Sequence, residues 1–156
     1  MPDASREIAI AVIGAGRAGR IHAGNFATEV PSARLAAFAD PVEQARAEVS
    51  AEFPGVDVVA DPSEVITRSD VDAVVVASPT AYHEQIVIAA AHAGKHILCE
   101  KPMAMTVDEC RRMAEAVEGA GVLLQMGFMR RFDPTFVEAK QAIDRGDIGD
   151  IVSVRS

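Results

Sequence analysis

Short apolar runs alternate with amphipathic stretches along this chain. Residues 8–13 (I-A-I-A-V-I) are wholly apolar, rich in β-branched side chains and too few for a helix. That pattern predicts a strand buried on both faces of a parallel sheet. Similar runs recur at 35–39, 56–60, 71–77, 95–99 and 122–126. Helical patterns fill the gaps. One carries Ile21, Asn25 and Phe26; the next, over 42–53, sets Ala45, Val49 and Phe53 on one face and stops at Pro54-Gly55. Asp40-Pro41-Val42-Glu43 and Asp61-Pro62-Ser63-Glu64 read as two helix starts of the same kind, with Asp as N-cap and Pro at the first helical position. Further helices are predicted to about 67, over 81–93 before Gly94, from the Thr106–Glu109 capping box to about 119, and over 135–145 before Gly146. Strand and helix alternating without hairpin signals predict an α/β fold, a doubly wound parallel sheet with right-handed crossovers.

The last segment breaks the pattern. Asp150 to Arg155 alternates polar with apolar, unlike every earlier run. Alternation marks a sheet with one wet face, so 148–154 is expected to be a strand of a different sheet. A lone first strand has nothing to pair with. The chain is therefore expected to be a fragment, the alternative being pairing with another copy. The expected organisation is a polar tail over 1–6, one nucleotide-binding domain over 7–146, and the first strand of a missing C-terminal domain over 147–156.

The first run ends in Gly14-Ala15-Gly16-Arg17-Ala18-Gly19, a G-x-G-x-x-G motif between a predicted strand and a predicted helix. In such a loop Gly14 would make the turn, Gly16 would let a diphosphate approach the backbone, and Gly19 would let the helix lie close to the strand. The phosphates would rest on the free amides and positive end of that helix, at Arg17 and Ala18. A plain glycine-rich turn or a methyltransferase-like nucleotide domain shares the motif. An acidic residue, Asp40, closes the second run, as the dinucleotide fingerprint requires. Its carboxylate would accept bonds from ribose hydroxyls and repel a 2′-phosphate, which favours NAD over NADP. It would equally serve as the helix cap already noted.

Two other loops carry candidate chemistry. Ser78-Pro79-Thr80-Ala81-Tyr82-His83 follows the fourth run, at the carboxyl end where open α/β sheets bind ligands. Ser78, Thr80 and His83 are candidates for the nicotinamide half; the alternative is a helix N-terminus capped by Thr80. Glu100-Lys101-Pro102 follows the fifth run. A lysine in a partly desolvated cleft can exchange a proton near neutrality, and Glu100 would oppose that or hold the lysine in place. The Lys101–Pro102 bond is a candidate for cis geometry, and the alternative is a solvated pair at a turn. Arg130 and Arg131, between Phe128 and Phe132, suit a polyol or phosphate ligand, or else a cation-π-packed connector.

Composition narrows the partners. The chain has 15 Lys and Arg against 23 Asp and Glu, a net charge of −8. It has no basic stripe to meet nucleic acid. No apolar run reaches membrane-spanning length, and the first residues are polar rather than a signal peptide. Cys99 and Cys110 are its two cysteines, without metal spacing, which points to a reduced cytoplasmic protein. Cys110 falls on a helix face with Met113 and Val117 and is expected in the core. His22, His92 and His96 have no partner at trustworthy metal spacing and are expected to be structural or solvated. No metal is expected.

Together these residues identify a resemblance. Gly14–Gly19, Ser78-Pro79-Thr80 with His83, and Ala93-Gly94-Lys95-His96 leading into Cys99-Glu100-Lys101-Pro102 resemble the Gfo/Idh/MocA oxidoreductases over about 7–156. Gln125 and Gly127–Asp133 look like the inositol 2-dehydrogenase branch. The resemblance implies a Rossmann domain followed by an α/β domain with an open, mostly antiparallel sheet that supports homo-oligomers. It implies reversible hydride transfer between NAD(P) and a hydroxyl carbon of a sugar or cyclitol, with Lys101 assisting substrate binding and proton transfer. Glu100 joins the cofactor-side residues, and Arg131 or Arg130 falls near cofactor or substrate. The family's further catalytic Asp and His, four residues apart, come from the second domain. No histidine here has an acidic residue four positions earlier: Ala18, Pro79, Ile88 and His92 stand there. The chain alone is thus expected to be catalytically incomplete. The other reading is a non-catalytic NAD-binding or sensing module.

Overall fold

The apolar runs become six parallel strands in the computed structural model, which describes residues 6–155. They are β1 (Ile8–Ile13), β2 (Ala33–Ala39), β3 (Asp57–Val59), β4 (Ala73–Val76), β5 (His96–Cys99) and β6 (Leu124–Met126). Five helices connect them: α1 (Arg17–Thr28), α2 (Glu43–Glu52), α3 (Pro62–Ile66), α4 (His83–His92) and α5 (Val107–Ala120). The sheet order is β3-β2-β1-β4-β5-β6. β1 pairs in parallel with both β2 and β4, so successive strands run outward one way to β3 and then the other way to β6. The reversal at β1/β4 leaves a crevice at the carboxyl ends of those two strands.

Alternate side chains of each strand feed two cores. Ile10, Val12, Phe38 and Val75 pack under Ala23 of α1 and Val49 of α2. Phe38 and Phe53 stack with ring centroids 5.5 Å apart. On the other face Ala11, Ile13, Val74, Val76 and Ile97 meet Val65 of α3, Val87 and Ala90 of α4, and Met113 and Val117 of α5. Burial on both faces accounts for the lack of a polar alternation in these strands.

Local signals set the helix starts. Asp61 with Glu64, and Thr106 with Glu109, both form capping boxes. Asp40-Pro41 does not act as Asp61-Pro62 does, which corrects the sequence reading. α2 begins at Glu43 with Val42 in the capping position and no side-chain cap. Thr80 is not a cap either: Thr80–Tyr82 is a 3-10 turn entered at Pro79, and α4 starts behind it at His83.

The described chain divides into two compact units between Met126 and Gly127. The second holds a 3-10 turn at Met129–Arg131 and the helix α6 (Pro134–Asp144), capped by Asp133. Within it the Arg130 guanidinium lies 4.5 Å from the centre of the Phe136 ring. The strand expected over 148–154 does not form: residues 150–155 take no regular structure, and Val152 is 96% exposed. A strand needs a neighbour with free N–H and C=O groups, and among the described residues none pairs with it. Of the polar tail, Arg6 donates to Asp72; the rest lies outside the described residues.

Candidate functional site

The crevice begins where β1 turns into α1. Gly14 has φ +105°, and a Cβ there would lie 2.6 Å from the Ala77 carbonyl carbon. A Cβ on Gly19 would lie 1.9 Å from the Gly14 oxygen, whereas one on Gly16 would meet nothing within 4 Å. Two glycines thus allow backbone and helix to close up, and the third borders open space. No side chain caps α1 and its first turn holds no acidic residue. The first backbone bond of the helix is Arg20 N–H to the Gly16 carbonyl, 3.0 Å. Among the described residues the amides of Gly16, Arg17 and Ala18 have no acceptor, at the positive end of a helix.

Asp40 stands across from this loop at the end of β2. Its Oδ2 accepts the Ala15 amide at 2.7 Å and its Oδ1 accepts the Val42 amide at 2.8 Å. Arg46 donates to the Asp40 and Pro41 carbonyls, both at 2.9 Å, fixing the backbone that presents the carboxylate. A carboxylate oxygen has two lone pairs, so each still has one to offer. Asp40, Gly14, Pro41, Ser78, Pro79 and Tyr82 help line a cavity of about 530 Å³. The Ser78 Oγ is buried and has no hydrogen-bond partner among the described residues. An orphaned hydroxyl of this kind costs stability unless something else satisfies it. Thr80 lies half-buried in the following turn.

β5 delivers the third side of the crevice. The Glu100 amide donates to the Val76 carbonyl at 2.9 Å, extending the β4–β5 pairing past its end. The Glu100 carboxylate does not reach the Lys101 ammonium. His22 Nε2 lies 2.8 Å from Oε1, and Oε2 accepts the Lys101 backbone amide at 3.1 Å. The Lys101 side chain is exposed and forms no ion pair or hydrogen bond among the described residues. The Lys101–Pro102 peptide bond is cis.

His83 is open to two readings, a nicotinamide contact or a first-turn residue of the next helix. It opens α4 and is 1% exposed. Its Nε2 lies 2.8 Å from the Ser78 carbonyl oxygen and its Nδ1 lies 2.9 Å from that of Pro102. The ring is therefore a strut between two loops, with both nitrogens turned to carbonyls of its own chain. Cys99, whose Sγ is 3.5 Å from His83 Nδ1, is no nucleophile: burial first, then Glu100 and Cys110, push its thiol up to about 12.

His22 shows what the sequence reading missed. Its role is structural, as expected; what no spacing announces is its partner, the carboxylate next to Lys101. One signal was present: His22 falls three positions after Gly19, on the side of α1 that faces the sheet. Arg131 lies exposed in the second unit, lining a groove with Arg130, Phe136 and Lys140. Among the described residues no three His, Cys, Asp or Glu side chains gather as metal ligands. No described helix is long and apolar enough to cross a membrane.

An open parallel sheet in this order, with unpartnered amides at its switch point and a carboxylate closing β2, defines a dinucleotide-binding domain. The comparisons with known proteins carry that further. Residues 8–128 match the GFO/IDH/MocA model, described as an oxidoreductase family with an NAD-binding Rossmann fold. The chain belongs to this family. It is 42% identical over 144 residues to the NAD(+)-dependent scyllo-inositol 2-dehydrogenase of Bacillus subtilis, covering 92% of this chain and 42% of that protein. It is 45% identical over 148 residues to inositol 2-dehydrogenase 2 of Saccharopolyspora erythraea, covering 94% of this chain and 44% of that protein. Its structure superposes with a TM-score of 0.88 on the scyllo-inositol dehydrogenase of Lactobacillus casei crystallised with NAD(H) and scyllo-inositol. That pair is 35% identical, covering 94% of this chain and 43% of the other. The chain thus spans less than half the length of each of these relatives.

Proposed function

We propose that this chain is the cofactor-binding part of an NAD-dependent dehydrogenase that oxidises a hydroxyl carbon of a cyclitol or sugar, with myo-inositol the first substrate to test. The observation that carries the reading is the row of amides at Gly16, Arg17 and Ala18, unpartnered among the described residues, with Asp40 held beside the same loop by the Ala15 amide. Those amides fit a diphosphate. Gly16, with nothing where its Cβ would be, lets the phosphates come close. Asp40 would take the adenosine ribose hydroxyls on its remaining lone pairs and repel a 2′-phosphate, which selects NAD over NADP. Ser78 offers its unsatisfied hydroxyl to a ligand in the same cavity, and Thr80 lies in the next turn toward the nicotinamide half. Bound nicotinamide would supply the hydride acceptor.

Lys101 would hold the substrate hydroxyl and relay its proton, being exposed and unpaired at the end of β5. Glu100 supports it from the cofactor side. Arg131 remains a candidate contact on the strength of the resemblance alone, as do homo-oligomer assembly and a cytoplasmic site of action for the full-length protein. Oxidising an alcohol also needs a base, and the Asp and His that the resemblance implies are not in this chain. The 156-residue chain should therefore bind cofactor and turn over polyol slowly or not at all.

Calorimetric titration of the chain with NADH, NADPH and S-adenosylmethionine tests this. NADH should bind, NADPH about tenfold or more weaker, and S-adenosylmethionine not at all, with Asp40→Ala narrowing the gap between the two nicotinamides. Failure of NADH to bind, or equal binding of S-adenosylmethionine, would overturn the reading.

A further inference from the structure

We infer that His22 is a positioning residue that keeps Glu100 off the Lys101 ammonium, so that the lysine stays free for its substrate. The inference rests on the reading of Lys101 just given, and on three observations. Glu100 and Lys101 are neighbours in sequence at a turn, so the lysine ammonium is within reach of the carboxylate if nothing else engages it. Instead, both carboxylate oxygens are engaged elsewhere, Oε1 with His22 Nε2 at 2.8 Å and Oε2 with the Lys101 backbone amide at 3.1 Å. The pair is also well shielded, with the His22 and Glu100 side chains 22% and 21% exposed. An interaction of a carboxylate in such surroundings is less screened than one in open solvent.

His22 is well placed to do this. It sits one turn into α1, the helix whose first amides form the open cradle, and it reaches from that helix to the residue following β5. Gly19, three positions earlier, packs against the Gly14 carbonyl, which sets the close approach of α1 to the sheet and so the reach of His22. With His22 Nε2–H as donor, Glu100 has no need of the lysine. Without it, Oε1 loses its partner, and the adjacent ammonium is the nearest cation on the same turn that forms no ion pair of its own.

Acetylation of the chain by a water-soluble active ester, read residue by residue by mass spectrometry, tests this without cofactor or substrate. A failure here is thus distinguishable from a failure of NADH to bind. Exposed Lys140 serves as the internal standard. Lys95, whose Nζ is held by two carbonyls, reports whether the variant is folded. His22→Ala should slow acetylation of Lys101 by about threefold or more as Glu100 pairs with it, His22→Gln should keep the normal rate by supplying an amide donor, and adding Glu100→Gln to His22→Ala should restore it. If His22→Ala unmasks Lys95, His22→Leu fills the same space without a donor and replaces it. An unchanged Lys101 rate in the donor-free variant, or no recovery in the double variant, overturns the inference.

Discussion

Lys95 and Lys101 stand at opposite ends of β5, and the two ends of the sheet treat them in opposite ways. At the amino ends Lys95 is 8% exposed. Its Nζ donates to the Arg68 carbonyl at 2.6 Å and the Val71 carbonyl at 2.7 Å. Asp72 beside it accepts the Ala9 amide at 2.9 Å, and Arg68 bridges Asp57 and Asp70 at 2.7 and 2.8 Å. At the carboxyl ends, among the described residues, the loop amides of α1 lack acceptors, the Ser78 hydroxyl has no partner and Lys101 is unpaired. The same residue type thus serves as a tie at one end and stands exposed and untied at the other. Polar groups of a stable fold are normally satisfied internally; where several are left open along one crevice, a ligand is the economical explanation.

The sharpest way to break this comparison is to remove each lysine in turn. Lys101→Met in the full-length protein should lower kcat for polyol oxidation by about 100- to 10,000-fold, the usual worth of a positioned proton-transfer group, with the melting temperature unmoved. A melting temperature that falls with activity would make Lys101 a tie like Lys95. Lys95→Met should do the reverse. It strips a charged donor from two carbonyls and should cost about 2–4 kcal/mol in denaturant unfolding, with NADH affinity unchanged. The smallest effect concerns Asp70. The hydrogen bond from Arg68 holds its carboxyl down at about 2, below the usual value near 4. A depressed folded-state value means the contribution to stability is present above about pH 4 and is lost as pH falls toward 2. Arg68→Met should therefore shift the acid-unfolding midpoint slightly upward and leave the neutral range nearly unchanged, because Asp70 faces solvent. Carboxyl titration by NMR would check the starting value.

How much of this was readable beforehand depended on how local each feature is. The strands were legible because burial on both faces leaves an unbroken apolar run, and the glycine motif because its three constraints act within one turn of chain. Asp61 and Thr106 were legible as caps for the same reason. Asp40 carried the same tetrapeptide pattern as Asp61 and behaved differently. Its carboxylate sits where β2 ends beside the glycine loop, and the Ala15 amide claims it. His22 with Glu100 and His83 with Pro102 are partners that only the sheet order brings together, so no spacing rule announces them. Residues 148–154 form no strand among the described residues, in keeping with a segment that has an alternating pattern and, as the sequence already indicated, nothing in this chain to pair with.

The imidazole wedged between the Ser78 and Pro102 carbonyls has a mechanical corollary. One ring thus sits between the loop that lines the cavity beside Asp40 and the turn that follows β5, so a substitution that removes it would loosen both loops at once.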